Sequence, residues 1–213
     1  PENERTQAQE LYQQAISQLQ AAKTYADGSA SYQQLQQSAP EETTRLQHAL
    51  TSEQPPAPAV TLSTEEAARQ LTQAQAALSD AQKRLNDLDQ QLTVQQVRPK
   101  SIPTELSGLK EQLTELDAKL QAAVSPTATP LLADARLMAL NAQRQTLSQQ
   151  IAMLEQERLS YDARLALLNA QRAAAAQELA QAQTQAQQLQ SLLSARRRDE
   201  AVAVVQQTAQ ATQ

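Results

Sequence analysis

One histidine and no cysteine occur in the 213 residues. Without thiols the chain cannot build a thiolate zinc site, a disulfide or a cysteine nucleophile. His48 lies on a short amphipathic segment with no second histidine to complete a metal or nucleophile constellation, so it reads as a surface or packing residue. Two carboxylate pairs, Glu111 with Glu115 and Asp87 with Asp89, have the spacing of an acid and a base. Both fall on expected solvated helix faces, where a carboxylate is a hydrated charge rather than a tuned catalyst. Gly28 and Gly108 are 80 residues apart, which excludes a glycine-rich phosphate loop. No catalytic, cofactor-binding or metal-binding residue is expected, no cofactor is implied, and the sequence does not read as an enzyme.

The arginines are patterned more suggestively. Arg144, Arg158 and Arg172 recur every fourteen residues at one heptad position. They suit a ladder that receives acidic groups from a partner helix and fixes its register. The plainer reading has their stems covering a seam while the guanidinium groups reach water. Arg196, Arg197 and Arg198 are followed at once by Asp199 and Glu200, which makes a solvated helix face a better reading than a lipid-binding patch.

The elements that carry these residues follow from composition. Ala (40), Gln (39) and Leu (30) make up just over half of the chain, Phe and Trp are absent, and the aromatics are Tyr12, Tyr25, Tyr32 and Tyr161. Ala, Gln and Leu favour helix, while the Val, Ile and aromatic residues that strands prefer are scarce. A net charge of -5 leaves no strongly basic face for nucleic acid, and no stretch approaches the ~20 apolar residues of a membrane span. Beginning at Pro1 rather than Met, the sequence is expected to be a piece of a larger protein.

Proline and glycine punctuate the helices. Residues 1–51 read as an N-terminal helical segment, which Gly28 is expected to kink and in which Pro40 opens a short second piece. Residues 52–62, containing Pro55, Pro56 and Pro58, read as an extended linker. Ser63 to Glu66 has the form of a capping box. It opens a seam at Ala67, Leu71, Ala74, Leu78, Ala81, Leu85, Leu88 and Leu92 with the 3.5-residue repeat of a coiled coil. Arg98-Pro99 and Ile102-Pro103 are expected to end it, so that 63–97 and 103–122 are separate helices, the second with Leu106, Leu109, Leu113, Leu116 and Leu120 on its seam. After the break at Ser125 to Pro130, one phase runs from Leu137 and Leu140 through Leu147, Ile151 and Leu154 to Leu189 and Leu193. Periodicity alone favours an uninterrupted helix there, while Ser160 and Asp162 could start a new one; both readings stand. The architecture expected is all-α, an elongated antiparallel set of helical hairpins or a coiled-coil bundle over residues 63–206, with a tail at 207–213.

The order of these breaks carries a resemblance. Leu35-Gln36-Gln37-Ser38-Ala39-Pro40-Glu41-Glu42, the seam into Gln96-Val97-Arg98-Pro99, and Ala139 to Gln143 onward through Arg164 to Arg172 and Leu192 to Arg198 carry it. The chain resembles the periplasmic N-terminal helical region, the MscS porin domain, of large MscS-like mechanosensitive channels of the MscK (KefA) type. The resemblance implies a turn near Ser160-Tyr161-Asp162, hence a hairpin of 131–159 with 162–205. It also implies a periplasmic, non-catalytic part of an inner-membrane channel that releases ions and solutes under hypo-osmotic tension. Its partners would be the remainder of the subunit, a homo-heptamer in the full-length protein and possible envelope components, with the isolated piece a monomer. The alternative is a periplasmic coiled-coil adaptor or scaffold of an efflux or cell-wall system, although strand-rich flanks of the kind efflux adaptors carry are missing from the sequence.

Overall fold

A computed structural model describes residues 2–52, 62–122 and 129–211. Four helices account for nearly all of them: α1 (Glu2–Ser52), α2 (Thr64–Ala122), α3 (Pro130–Leu159) and α4 (Tyr161–Ala211). The described residues contain no strand, and the helices pack into an all-α bundle. The expected linker at 52–62 falls almost entirely outside the described residues, as do residues 125–128 of the break expected at Ser125 to Pro130, whose last residue opens α3.

The expected capping box forms. Ser63 donates its backbone N–H to Glu66 Oε2 at 3.1 Å and its hydroxyl to the same oxygen at 2.9 Å, while the Glu66 N–H reaches Ser63 Oγ at 3.3 Å. These bonds, the backbone one first, hold the Glu66 carboxyl below its usual range. α3 starts with Thr129 at the cap and Pro130 in the first turn, where a missing N–H costs nothing.

Four expected interruptions are absent. α1 continues through Gly28 and Pro40, and α2 continues through Pro99 and Pro103. An interior proline costs about 3 kcal/mol through its lost hydrogen bond and its clash with the preceding turn. In α2 that cost is opposed by apolar burial on both sides, because Ile102, Leu106, Leu109 and Leu116 keep the heptad phase of Leu88 and Leu92. α4 likewise runs on to Ala211 rather than ending before residue 207.

Two compact units divide the chain, the first made of Pro1–Pro40 with Val94–Ala166, the second of Glu41–Thr93 with Leu167–Gln213. In the first, Ile102, Leu106, Leu109 and Leu116 of α2 pack with Leu147, Ile151 and Leu154 of α3. These helices are antiparallel: Arg98 meets Glu157, Lys110 meets Glu155 and Asp117 meets Arg144. α1 runs parallel to α3, with Thr146 Oγ1 donating to the Gln18 carbonyl at 2.7 Å and Gly28 lying against Met153. α3 therefore carries a second buried stripe, Leu132, Ala135, Ala139, Ala142 and Thr146, beside the leucine seam.

The hairpin expected at 159–162 is not formed. Ser160 has φ -83° and ψ -5°, close to helical, and the main-chain bonds from Ser160 N to the Gln156 carbonyl (2.9 Å) and from Arg164 N to the Ser160 carbonyl (3.0 Å) carry the helical direction across it. Reversal would need a residue outside the helical region, and Ser160, the one residue between α3 and α4, is not such a residue. Glu157 meets Arg98 and Arg164 meets Gln95, so the chain keeps its direction along α2 as it passes from α3 into α4.

In the second unit α2 and α4 are antiparallel, as Asp89 to Arg172, Arg84 to Glu178 and Thr64 to Glu200 show. Its seam is richer in alanine: Ala67, Ala74 and Ala81 on α2, and Ala170, Ala175 and Ala182 on α4, joined by Leu88, Leu92, Leu189 and Leu193.

Candidate functional site

The residues singled out for catalysis are scattered. His48 is exposed on α1, Asp87, Glu111 and Glu115 are exposed along α2, and Asp89 of α2 is half-buried and bonded to Arg172. Among the described residues, no group of three or more His, Asp or Glu side chains could hold a metal ion.

Two of the three laddered arginines are paired, with carboxylates of the same chain. Arg144 Nε donates to Asp117 Oδ1 at 2.7 Å and Arg172 Nε to Asp89 Oδ1 at 2.5 Å. The four groups are about half exposed, which suits weak register-setting pairs on a solvated edge. Arg158 is exposed and makes no ion pair among the described residues. In the register set by Arg144 and Asp117, the α2 residue opposite Arg158 is Pro103, which offers no carboxylate. Arg197 and Arg198 lie exposed as a solvated face would, and Arg198 Nε reaches the Ser194 carbonyl at 3.3 Å.

The most concentrated polar chemistry lies elsewhere, in the first unit, where α2 carries its two prolines and α3 gives way to α4. Glu157 is only 4% exposed. Both of its oxygens accept from Arg98, Nε at 2.7 Å and Nη2 at 2.9 Å. The fork matches the carboxylate and satisfies a charge that burial would otherwise penalise heavily. Arg98 Nη1 also donates to Glu105 Oε1 at 2.6 Å and to Ser101 Oγ at 3.0 Å, and Ser101 Oγ donates to the Arg98 carbonyl at 3.1 Å. The Glu157 bond, chiefly, makes the Arg98 guanidinium still harder to deprotonate. The Arg98 bond, with Ser101 second, pulls the Glu105 carboxyl below its usual range.

Arg164, 7% exposed, extends the cluster. It donates through Nε to Ser160 Oγ (3.1 Å), through Nη2 to the Glu157 carbonyl (3.0 Å) and through Nη1 to Gln95 Oε1 (3.0 Å). Its guanidinium carbon stands 4.8 Å from the centre of the Tyr32 ring of α1. Neutral acceptors and an aromatic face thus stabilise this buried cation. Ser160 Oγ, fully buried, also donates to the Glu157 carbonyl at 3.1 Å. Sequence reading missed Glu157, Glu105 and Arg98 as a group. The available signal was two prolines four residues apart beside an arginine, in a helix whose seam phase does not change.

This arrangement holds helices together: Arg98 ties α2 to Glu157 of α3, and Arg164 of α4 is tied to Gln95 of α2. Among the described residues no helix is long and apolar enough to cross a membrane. Neither the curated proteins nor the solved structures compared with the chain give a match. The family described as the mechanosensitive ion channel porin domain matches residues 1–213, the full length of the chain. The chain belongs to the mechanosensitive ion channel porin domain family.

Proposed function

We propose that the chain is a non-catalytic, periplasmic module of a mechanosensitive channel subunit of the MscK (KefA) type, a channel that releases ions and solutes when hypo-osmotic stress raises membrane tension. The observation that carries this reading is the family match over residues 1–213. The all-helical architecture, whose polar cluster is consumed in helix-to-helix bonds, agrees with it. The module acts as a linking or regulatory arm: it transmits or limits movement between the channel and other envelope components, while the conducting pathway lies in other parts of the subunit. In the full-length protein the subunits form a homo-heptamer through those other parts. The isolated chain is a monomer, its seams being satisfied internally, and light scattering giving a stable heptamer would contradict that.

Patch-clamp recording of the full channel with and without residues 1–213, at matched abundance, tests the reading. A shifted tension threshold or altered closing kinetics is the expected result. Identical thresholds, kinetics and survival of osmotic downshock would remove the regulatory role.

A further inference from the structure

We infer that Arg98 is a clamp across a proline-weakened stretch of α2, and that releasing it lets α2 open locally between Gln95 and Glu105. Pro99 has no N–H to give to the Gln95 carbonyl, and Pro103 has none for the Pro99 carbonyl. Two successive rungs of one row of main-chain bonds are therefore empty, because residues four apart stack along the same side of a helix.

Side chains bridge this gap. Arg98, just before the first proline, reaches Glu105, just after the second, at 2.6 Å, and holds Ser101 between them at 3.0 Å. The same guanidinium grips Glu157 of α3 with two bonds, which anchors the stretch to a neighbouring helix. At the near end, the Gln95 side chain is held by Arg164 at 3.0 Å. Buried Leu92 and Leu106 fix the flanks, so the segment is pinned at both ends and weak in the middle. The pairs Arg84–Glu178, Lys110–Glu155, Arg144–Asp117 and Arg172–Asp89 differ in kind: each joins one cation to one carboxylate across two helices, and none spans missing main-chain bonds.

A cluster that merely fixes helix register would act with or without the prolines. A clamp acts because of them. Pro99 and Pro103 are exposed, so replacing both with alanine restores two N–H donors without removing core contacts. The test is hydrogen exchange, resolved along the 213-residue chain, in four proteins: unaltered, Arg98→Ala, Pro99→Ala with Pro103→Ala, and all three substitutions together. Arg98→Ala is expected to speed exchange of the amides from Val97 to Glu105 about tenfold, with 67–88 and 109–120 changing less than about twofold. In the proline-free background the same substitution should speed those amides less than about threefold. An equal acceleration in both backgrounds, no acceleration, or one spread evenly over α2 would overturn the clamp. Should Arg98→Ala fail to fold, Glu105→Ala, at an exposed residue, cuts only the span across the prolines. A local acceleration of about threefold is then expected, and its absence overturns the inference.

Discussion

The two units of the chain use one heptad seam with different contents. In the unit of Pro1–Pro40 and Val94–Ala166 the seam is Ile102, Leu106, Leu109 and Leu116 against Leu147, Ile151 and Leu154. In the unit of Glu41–Thr93 and Leu167–Gln213 its buried positions are mainly Ala67, Ala74, Ala81, Ala170, Ala175 and Ala182. A leucine buries three more carbons than an alanine at the same position, each worth about 0.8 kcal/mol. The polar contacts differ in the same direction: the first unit buries Glu157 under Arg98, whereas Arg84 and Glu178 of the second remain 62% and 50% exposed. Shared periodicity therefore does not mean shared strength, and the leucine seam of the first unit can carry Pro99 and Pro103 inside α2.

The largest expected effect tests that ranking directly. Leu154→Ala, at a residue 2% exposed, should lower stability by about 4 kcal/mol, through lost burial and the cavity left behind. Leu78→Ala, at a half-buried seam position of the second unit, should cost about 1–2 kcal/mol. Urea unfolding measures both. Equal losses would mean that alanine seams gain from close helix approach what they lack in area.

The same contrast explains what the sequence made legible. The helical class, the capping box and the α2 leucines all rest on local patterns, and all are present. The continuity of α2 was equally local, since Leu88, Ile102, Leu109 and Leu116 are whole heptads apart across Pro99 and Pro103. A proline's cost is paid at one turn while seam burial is summed over many, and the sum prevails. Tyr25, Tyr32, Ala39 and Leu46 carry one phase through Pro40 in the same way. The pairing of Arg98 with Glu157 was not legible, because it depends on how α2 registers against α3 over a separation of 59 residues. The small stripe Ala135, Ala139, Ala142 and Thr146 was not legible either, because it gains its meaning only from α1 lying beside it.

Next in size is the buried ion pair. Glu157→Ala removes the carboxylate under Arg98 and should cost about 3 kcal/mol, since the arginine is left half-covered without its main partner. Acid reaches the neighbouring Glu105. Its folded-state affinity for a proton is lowered, so the stability it contributes is complete above its ordinary value of 4.5 and fades as pH falls through its depressed one. As pH falls below 4.5, unfolding of the Arg98→Ala protein should be less sensitive to pH than that of the unaltered chain, because Glu105 then titrates more nearly as it does unfolded. An unchanged pH profile would detach Glu105 from the cluster.

The two glycines sharpen the comparison within the first unit. A Cβ at Gly108 meets nothing within 4 Å, so Gly108→Ala should stabilise the chain by up to about 1 kcal/mol through helix propensity alone. A Cβ at Gly28 would stand 2.9 Å from Met153 Sδ, where α1 lies close against α3. Gly28→Ala should therefore lose about 0.5 kcal/mol, yet gain about as much as Gly108→Ala when Met153 is also alanine. If Gly28→Ala stabilises the chain with Met153 in place, the thioether moves aside freely and α1 is less tightly seated than its geometry suggests.

The smallest effect belongs to the exposed pairs of the second unit. Arg172 and Asp89 keep nearly half of their side-chain surface in water, so the charge attraction is screened and ordering two long side chains offsets part of it. A double-mutant cycle of Arg172→Ala and Asp89→Asn should give a coupling of about 0.5 kcal/mol or less, vanishing in about 1 M salt. The same cycle on Arg98 and Glu157 should give several times that coupling and keep most of it in salt, because Glu157 is shielded from the screening ions. A coupling above about 1 kcal/mol at Arg172 and Asp89 would show the alanine-rich unit making up in ion pairs what its seam lacks in burial, and the two units would then differ in the kind of force holding them rather than in its amount.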